Sequence, residues 1–238
     1  MTQDQQRGGR IAFFGGSFDP PHFGHLAVAR AARRALSLDA VLFAPVGAQP
    51  LKPSGSSAGF EDRMAMTRLA IAGEPGFSLS LVDAPKAGGA PNYTLESLLF
   101  LSDQLPPGGQ LFCLMGADAF AGLHRWHRAA EIPFAAPLIV ASRPGESIDD
   151  LASLLPEGFF LEPAPAEVFS GVELVAYRLR NSRGRSAPFY LLPGLAVDIS
   201  ATQIRAVIQR PRADDPRQDQ PLLPPAVLEY IRSHGLYR

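Results

Sequence analysis

Two histidines, His22 and His25, stand three residues apart behind a turn that holds Gly15, Gly16, Ser17 and Phe18. Positions three apart lie on one side of a helix, so both imidazoles face one point if a helix begins there. The first turn of a helix carries unpartnered N–H groups and the positive end of the dipole, which together make an anion site. Paired glycines let a ligand come close to the backbone. Imidazole or imidazolium N–H donors at such a point would hold phosphate oxygens whose charge grows during phosphoryl transfer. The same pair also suits a metal ion or an ordinary solvated helix start. No His-Glu-x-x-His run or carboxylate companion accompanies it. The run is neither Gly-x-Gly-x-x-Gly nor a Walker A loop, which removes support for a dehydrogenase or a P-loop ATPase.

The elements around this turn must place it. Arg10 to Phe14 reads as a buried strand running into Gly15-Gly16, and Leu26 to Leu36, rich in Ala and Leu, reads as the helix after it. Ala40 to Val46, Phe77 to Val82, Leu111 to Met115, Leu138 to Ala141 and Phe189 to Leu192 are further strands. Phe60 to Ala72, Tyr93 to Leu105, Ile148 to Leu155, Ser200 to Gln209 and Ala226 to His234 are further helices. Gly47 to Gly59, Pro85 to Asn92 and Pro211 to Pro221 are loops, and Arg178 to Arg185 is an Arg-rich turn. Strands alternating with helices predict a doubly wound, Rossmann-like parallel α/β sheet with helices on both faces and a helical C-terminal extension. Ligands then sit above the carboxyl ends of the strands. The domain reading is a flexible leader over 1–9 and one domain over 10–238, its helical C-terminal part beginning near 198.

Composition narrows the partners. A chain of 238 residues, 46% hydrophobic and 19% charged, can bury a large core, roughly 70–75% of its unfolded surface. A net charge of -1 argues against a general polyanion-binding surface, so nucleic acid is not an expected partner. The single cysteine, Cys113, lies in an apolar run and reads as a small buried hydrophobe. No disulfide framework, signal core or membrane-length apolar stretch is visible, so a soluble, cytoplasmic protein is expected.

Several other groups have both a plain and a chemical reading. Ser200-Ala201-Thr202-Gln203 has the form of a capping box, and Arg205 on the same helix reads as a surface residue. Asp118, after the strand Leu111 to Met115, reads as a helix N-cap. His124-Arg125-Trp126-His127-Arg128 is a local basic and aromatic cluster in a nearly neutral chain.

The eleven residues Gly15 to His25 resemble the His-x-Gly-His motif of the nucleotidyltransferase superfamily, which class I aminoacyl-tRNA synthetases share in looser form. Within it the chain is most similar to bacterial nicotinate-nucleotide adenylyltransferases. The similarity extends to Pro91-Asn92-Tyr93-Thr94, Gly116-Ala117-Asp118, Trp126, Arg143-Pro144-Gly145, Asp198 to Arg205 and Gly235-Leu236-Tyr237-Arg238. The resemblance implies transfer of AMP from ATP to nicotinate mononucleotide, with Mg²⁺ accompanying ATP and no protein metal site. It implies that His22, His25 and Arg205 are catalytic. Gly15, Gly16, Ser17, Phe18, Arg143, Ser200 and Thr202 join them in binding ATP. Lys52, Thr94, Asp118, Trp126 and His127 are implied to bind the mononucleotide, Trp126 stacking on the pyridine and Asp118 meeting a ribose hydroxyl.

Two positions depart from the pattern. His127 stands where many relatives have tyrosine, and Leu51 stands before Lys52 where a histidine is usual. Sister enzymes that use nicotinamide mononucleotide or phosphopantetheine remain alternatives, as does a non-catalytic nucleotide sensor. Expected partners are the two small substrates, without nucleic acid or membrane, and a homo-oligomer is left open.

Overall fold

Burial alternates along the central strands, and that alternation divides the core into two layers. The computed structural model describes residues 9–52, 55–142, 151–164, 174–195, 199–209 and 222–238. Among these, β1 (Arg10–Gly16), β2 (Ala40–Pro45), β3 (Phe77–Leu79), β4 (Gln110–Gly116), β5 (Leu138–Ala141), β6 (Phe159–Pro163), β7 (Val175–Asn181) and β8 (Ser186–Leu192) form one sheet. Its order is β3-β2-β1-β4-β5-β8-β7-β6. Pairings from β3 across to β8 are parallel, whereas β7 pairs antiparallel with both β8 and β6.

Ala12, Phe14, Val41, Phe43, Phe112 and Leu114 face α1 (Phe23–Ala35) on one side. Phe13, Leu111, Cys113, Met115, Leu138 and Val140 face α3 (Thr94–Asp103) and the short α4 (Ala117–Ala121) and α5 (Ile132–Ala135) on the other. A sheet covered on both faces needs apolar residues at every strand position, which is why these strands read as unbroken apolar runs. A third cluster joins α2 (Phe60–Ile71) to α6 (Ala201–Gln209) and α7 (Pro225–Ser233) through Met66, Ala70, Ile204, Val227, Ile231 and Tyr237. Each large apolar side chain buried there stabilises the docking by roughly 1.5–3 kcal/mol. This cluster carries the C-terminal helices back to the β1–α1 turn. No described helix is long and apolar enough to cross a membrane.

The expected doubly wound sheet is present, with an antiparallel margin that the sequence reading did not place. Arg178 to Arg185, read as a turn, is half strand and half turn: residues 178–181 end β7 and residues 182–185 turn. Tyr177 and Leu179 face Phe189 and Ala187 while Arg178 and Arg180 are exposed, so the arginines mark the solvated face of a strand. Strand β6 was not anticipated, and β8 begins three residues before Phe189. Strand β3 stops at Leu79, short of Val82, because Val82 N–H turns to Ser80 Oγ (3.3 Å) and Ala84 N–H to Leu81 O (2.9 Å). Helix α1 begins at Phe23, at the histidine turn where a helix start was expected and ahead of the Ala- and Leu-rich run from Leu26, and a short 3-10 turn (Ala87–Gly89) interrupts the loop before α3. Arg143, the Pro211 to Pro221 loop, nearly all of the leader and the start of the Ile148 to Leu155 helix lie outside the described residues. Leu151 is buried against the second core.

Candidate active site

Between β1 and β4 the sheet reverses its winding order, and the carboxyl ends of these strands open into a cleft of about 610 Å³. Gly15, Gly16, Ser17, Phe18, His22 and His25 line it from β1 and α1, and Met115 to Asp118 from β4 and α4. Ser200, Thr202 and Arg205 face it from α6, and Lys52 from the loop after β2. Eleven of the residues singled out in the sequence therefore meet in one space. Thr94, Trp126 and His127 do not line it.

His22 is the N-cap of α1, in extended backbone with φ -142°. Its backbone N–H donates to His25 Nδ1 at 3.1 Å. An acceptor Nδ1 fixes the neutral tautomer of His25, leaving Nε2–H as a donor. The two rings lie 3.8 Å apart, and Phe18 meets His25 edge-on at 4.9 Å. Burial lowers His22 to about 4, and burial followed by the neighbouring His22 lowers His25 well below its ordinary value. Both rings are thus neutral near pH 7. Phe18 holds a left-handed backbone (φ 47°) while its ring is buried among Phe14, Phe43 and His25. That conformation costs about 1–2 kcal/mol for a non-glycine residue, which ring burial offsets.

The depressed His22 value has a consequence for stability. Above its ordinary value of 6.5 the group is neutral folded or unfolded; between 6.5 and about 4 only the unfolded chain takes up the proton. Acidification across that window is expected to remove roughly 3 kcal/mol through His22 alone. Urea unfolding of the chain and of His22→Asn, compared from pH 7 to 4, checks this. The variant's profile should be flatter, and equal slopes would refute the assignment.

The turn before α1 is held from every side. Ser17 Oγ lies 2.7 Å from Gln49 Nε2 and 3.2 Å from Lys52 Nζ, both donors. Arg63, 2% exposed, donates to the carbonyls of Ser17 (2.8 Å), Val46 (2.8 Å) and Ala58 (3.2 Å). Asp19 is buried too, and its carboxylate accepts Ser57 N–H (2.6 Å), Ala58 N–H (3.0 Å) and the Tyr237 hydroxyl (2.7 Å). Asn92 ties the loops after β2 and β3 together, accepting from Ala48 N–H (2.9 Å) and donating to Ala84 O (3.0 Å). None of these four was given a role from sequence. Asp19, Asn92 and Tyr237 at least stood inside quoted motifs, whereas Arg63, in Phe60-Glu61-Asp62-Arg63, looks like any helix-surface arginine.

In the same cleft, Ser200 and Gln203 do form the capping box, with Ser200 N–H to Gln203 Oε1 at 3.0 Å and Gln203 N–H to Ser200 Oγ at 3.2 Å. Arg205 is not a plain surface residue. One Nη donates to the Asp19 carbonyl (2.7 Å) and the other to Thr202 Oγ1 (3.3 Å). Two helix starts, those of α1 and α6, thus face one cleft, each with partially positive N–H groups suited to an anion.

Asp118 sits inside α4, whose N-cap is Gly116, so the N-cap reading of Asp118 is corrected. Thr94 opens α3 after Tyr93, and the Tyr93 ring lies 4.2 Å from that of His127 at 31°. The start of α3 and residues 126–127 therefore adjoin each other. Trp126 is half-buried against the second core. Leu51 is 49% exposed and does not line the cleft.

A cytidylyltransferase-like family model matches residues 13–207. The chain is 38% identical to a "Probable nicotinate-nucleotide adenylyltransferase" of Gloeobacter violaceus, covering 97% of each chain. It is 39% identical to one of the same description from Roseiflexus, covering 96% of this chain and 98% of that one. A Plasmodium falciparum nicotinic acid mononucleotide adenylyltransferase complexed with NaAD superposes with a TM-score of 0.68 over 96% of this chain and 97% of its own. At 15% identity, that likeness speaks to the fold alone.

Proposed function

The chain belongs to the cytidylyltransferase-like family, among its nicotinate-nucleotide adenylyltransferases, and we propose that the cleft between α1 and α6 is where its reaction takes place. The enzyme moves AMP from ATP to nicotinate mononucleotide in NAD biosynthesis. The 5′-phosphate oxygen of the mononucleotide attacks the α-phosphorus of ATP in line. The bond from that phosphorus to the bridging oxygen breaks, and pyrophosphate leaves with the electron pair. No side chain forms a covalent intermediate, so catalysis consists of positioning and charge stabilisation, for which orientation can supply ~7–11 kcal/mol.

His25 Nε2–H and the neutral His22 donate to the reacting phosphate oxygens, on which charge accumulates. Gly15 and Gly16 admit the nucleotide close to the backbone, with Ser17 and Phe18 shaping the turn. Arg205 and the α6 start, through Ser200 and Thr202, hold the β- and γ-phosphates. Lys52, resting on Ser17 Oγ, swings onto phosphate when substrate arrives. Asp118 takes the ribose of the mononucleotide, Trp126 offers its ring to the pyridine, and Thr94 and His127 flank the carboxylate. Among the described residues no three His, Cys, Asp or Glu side chains converge, and the Asp19 carboxylate is already engaged by three donors. Mg²⁺ would accompany ATP, held by the triphosphate and water, and would supply charge neutralisation there.

The observation that carries this reading is the pair of helix starts, one bearing His22 and His25 and the other Arg205, that line one cleft. Pyrophosphate release with ATP and a panel of acceptors tests it. Nicotinate mononucleotide is expected to turn over fastest, at least about tenfold above the amide, the scale of one charge-assisted contact. Faster turnover of nicotinamide mononucleotide or phosphopantetheine would reassign the acceptor, and ATP binding without turnover would make the chain a sensor.

A further inference from the structure

Tyr237 lies outside the cleft lining, yet its hydroxyl reaches the motif turn. It donates to Asp19 Oδ1 across 218 positions of sequence, and both side chains are buried. Asp19 carries more than this one bond. Its carboxylate takes the N–H groups of Ser57 and Ala58, while its carbonyl takes the Arg205 guanidinium at 2.7 Å. A single residue therefore joins the 55–58 loop, α6 and Tyr237, three positions before His22. Tyr237 itself is held in place by its burial in the α2–α6–α7 cluster and by the neighbouring bond from Leu236 N–H to Ile231 O (3.0 Å), although its backbone is left-handed at φ 63°.

We propose that Tyr237 is a positioning residue for ATP: its hydroxyl fixes Asp19, and Asp19 fixes the spacing between the His22 turn and Arg205. The inference rests on the triphosphate reading of those two elements. Without the hydroxyl, the Asp19 carboxylate can rotate on its remaining donors, and the carbonyl beneath Arg205 shifts with it. Positioning of this kind is sensitive, because displacements near 1 Å at a reacting phosphate are felt in rate. Of the mononucleotide residues, Lys52 and Asp118 share the cleft but neither bonds Asp19, and Thr94, Trp126 and His127 do not line it, so the effect should fall mainly on ATP.

Tyr237→Phe tests this, since it removes the hydroxyl and keeps the ring. The KM for ATP is expected to rise about tenfold, the size of one weakened charge-assisted contact. The KM for nicotinate mononucleotide and the melting temperature should hardly change. Arg205→Lys measured alongside should also raise the ATP KM, and the double variant should be less than multiplicative, because both changes loosen the same carbonyl contact. An ATP KM unmoved by Tyr237→Phe, or an equal rise for both substrates, overturns the inference while a response to Arg205→Lys keeps the triphosphate reading. If Arg205→Lys leaves the ATP KM unchanged, the triphosphate reading fails and the inference falls with it.

Discussion

His25→Ala is expected to lower turnover by about 10²–10³-fold, the size of one lost oxyanion donor in a preorganised site. The ring presents Nε2–H because its Nδ1 is occupied by the His22 backbone N–H. Removing it deletes a donor aimed into the cleft, and also the acceptor that orders the His22 backbone. The loss should appear mainly in kcat, since charge on the phosphate oxygens is largest in the transition state. The surrounding turn keeps its Ser17, Asp19 and Arg63 anchors, so the variant should remain folded. Pyrophosphate release, with circular dichroism as the control for folding, measures both. Near-normal turnover in a folded variant would remove His25 from the chemistry.

The second large effect is on stability. Arg63→Met should destabilise the protein by about 3–5 kcal/mol. Three carbonyls, those of Ser17, Val46 and Ala58, would lose their donor in a region closed to solvent, at ~1–3 kcal/mol for each group left unpaired. Nearby Asp19 would also lose a compensating positive charge; burial lowers the Arg63 value and that carboxylate raises it in opposition. For a chain of this size such a loss corresponds to a melting temperature roughly 10 °C lower. A change below about 1 kcal/mol in urea unfolding would mean that other groups re-satisfy the carbonyls. The measurement separates a scaffold arginine from the cleft-lining Arg205, whose replacement should be far milder for stability.

The contrast between these two arginines also shows what is legible in sequence. Apolar runs such as Leu138 to Ala141 announce strands buried on both faces, and that strand is found at the expected bounds. The Gly15–His25 run is visible because its glycines, prolines and histidines each have a local physical meaning. Ser200 and Gln203 are visible for the same reason, since a capping box is contained within four residues. Arg63 is not visible, because its partners lie 5, 17 and 46 positions away, and no local pattern records a long-range carbonyl acceptor. Strand β7 was hidden differently. Its arginines suggested a solvated turn, and only pairing with β8 makes every second residue apolar and inward. Asp118 fits a cap by residue type, but Gly116 ends β4 in an extended conformation and takes that position first.

The Asp19–Tyr237 hydrogen bond also has a meaning in the time order of synthesis. At about 5–20 residues per second, the 218 positions between donor and acceptor take about 10–45 s to translate. Throughout that interval the histidine turn has already been made, but it lacks both Tyr237 and, for most of it, Arg205. A nascent chain can pair β1 with β2 and fold α1 against them, yet it holds only half of the proposed nucleotide site. The part of the enzyme translated early is therefore among the last to be finished.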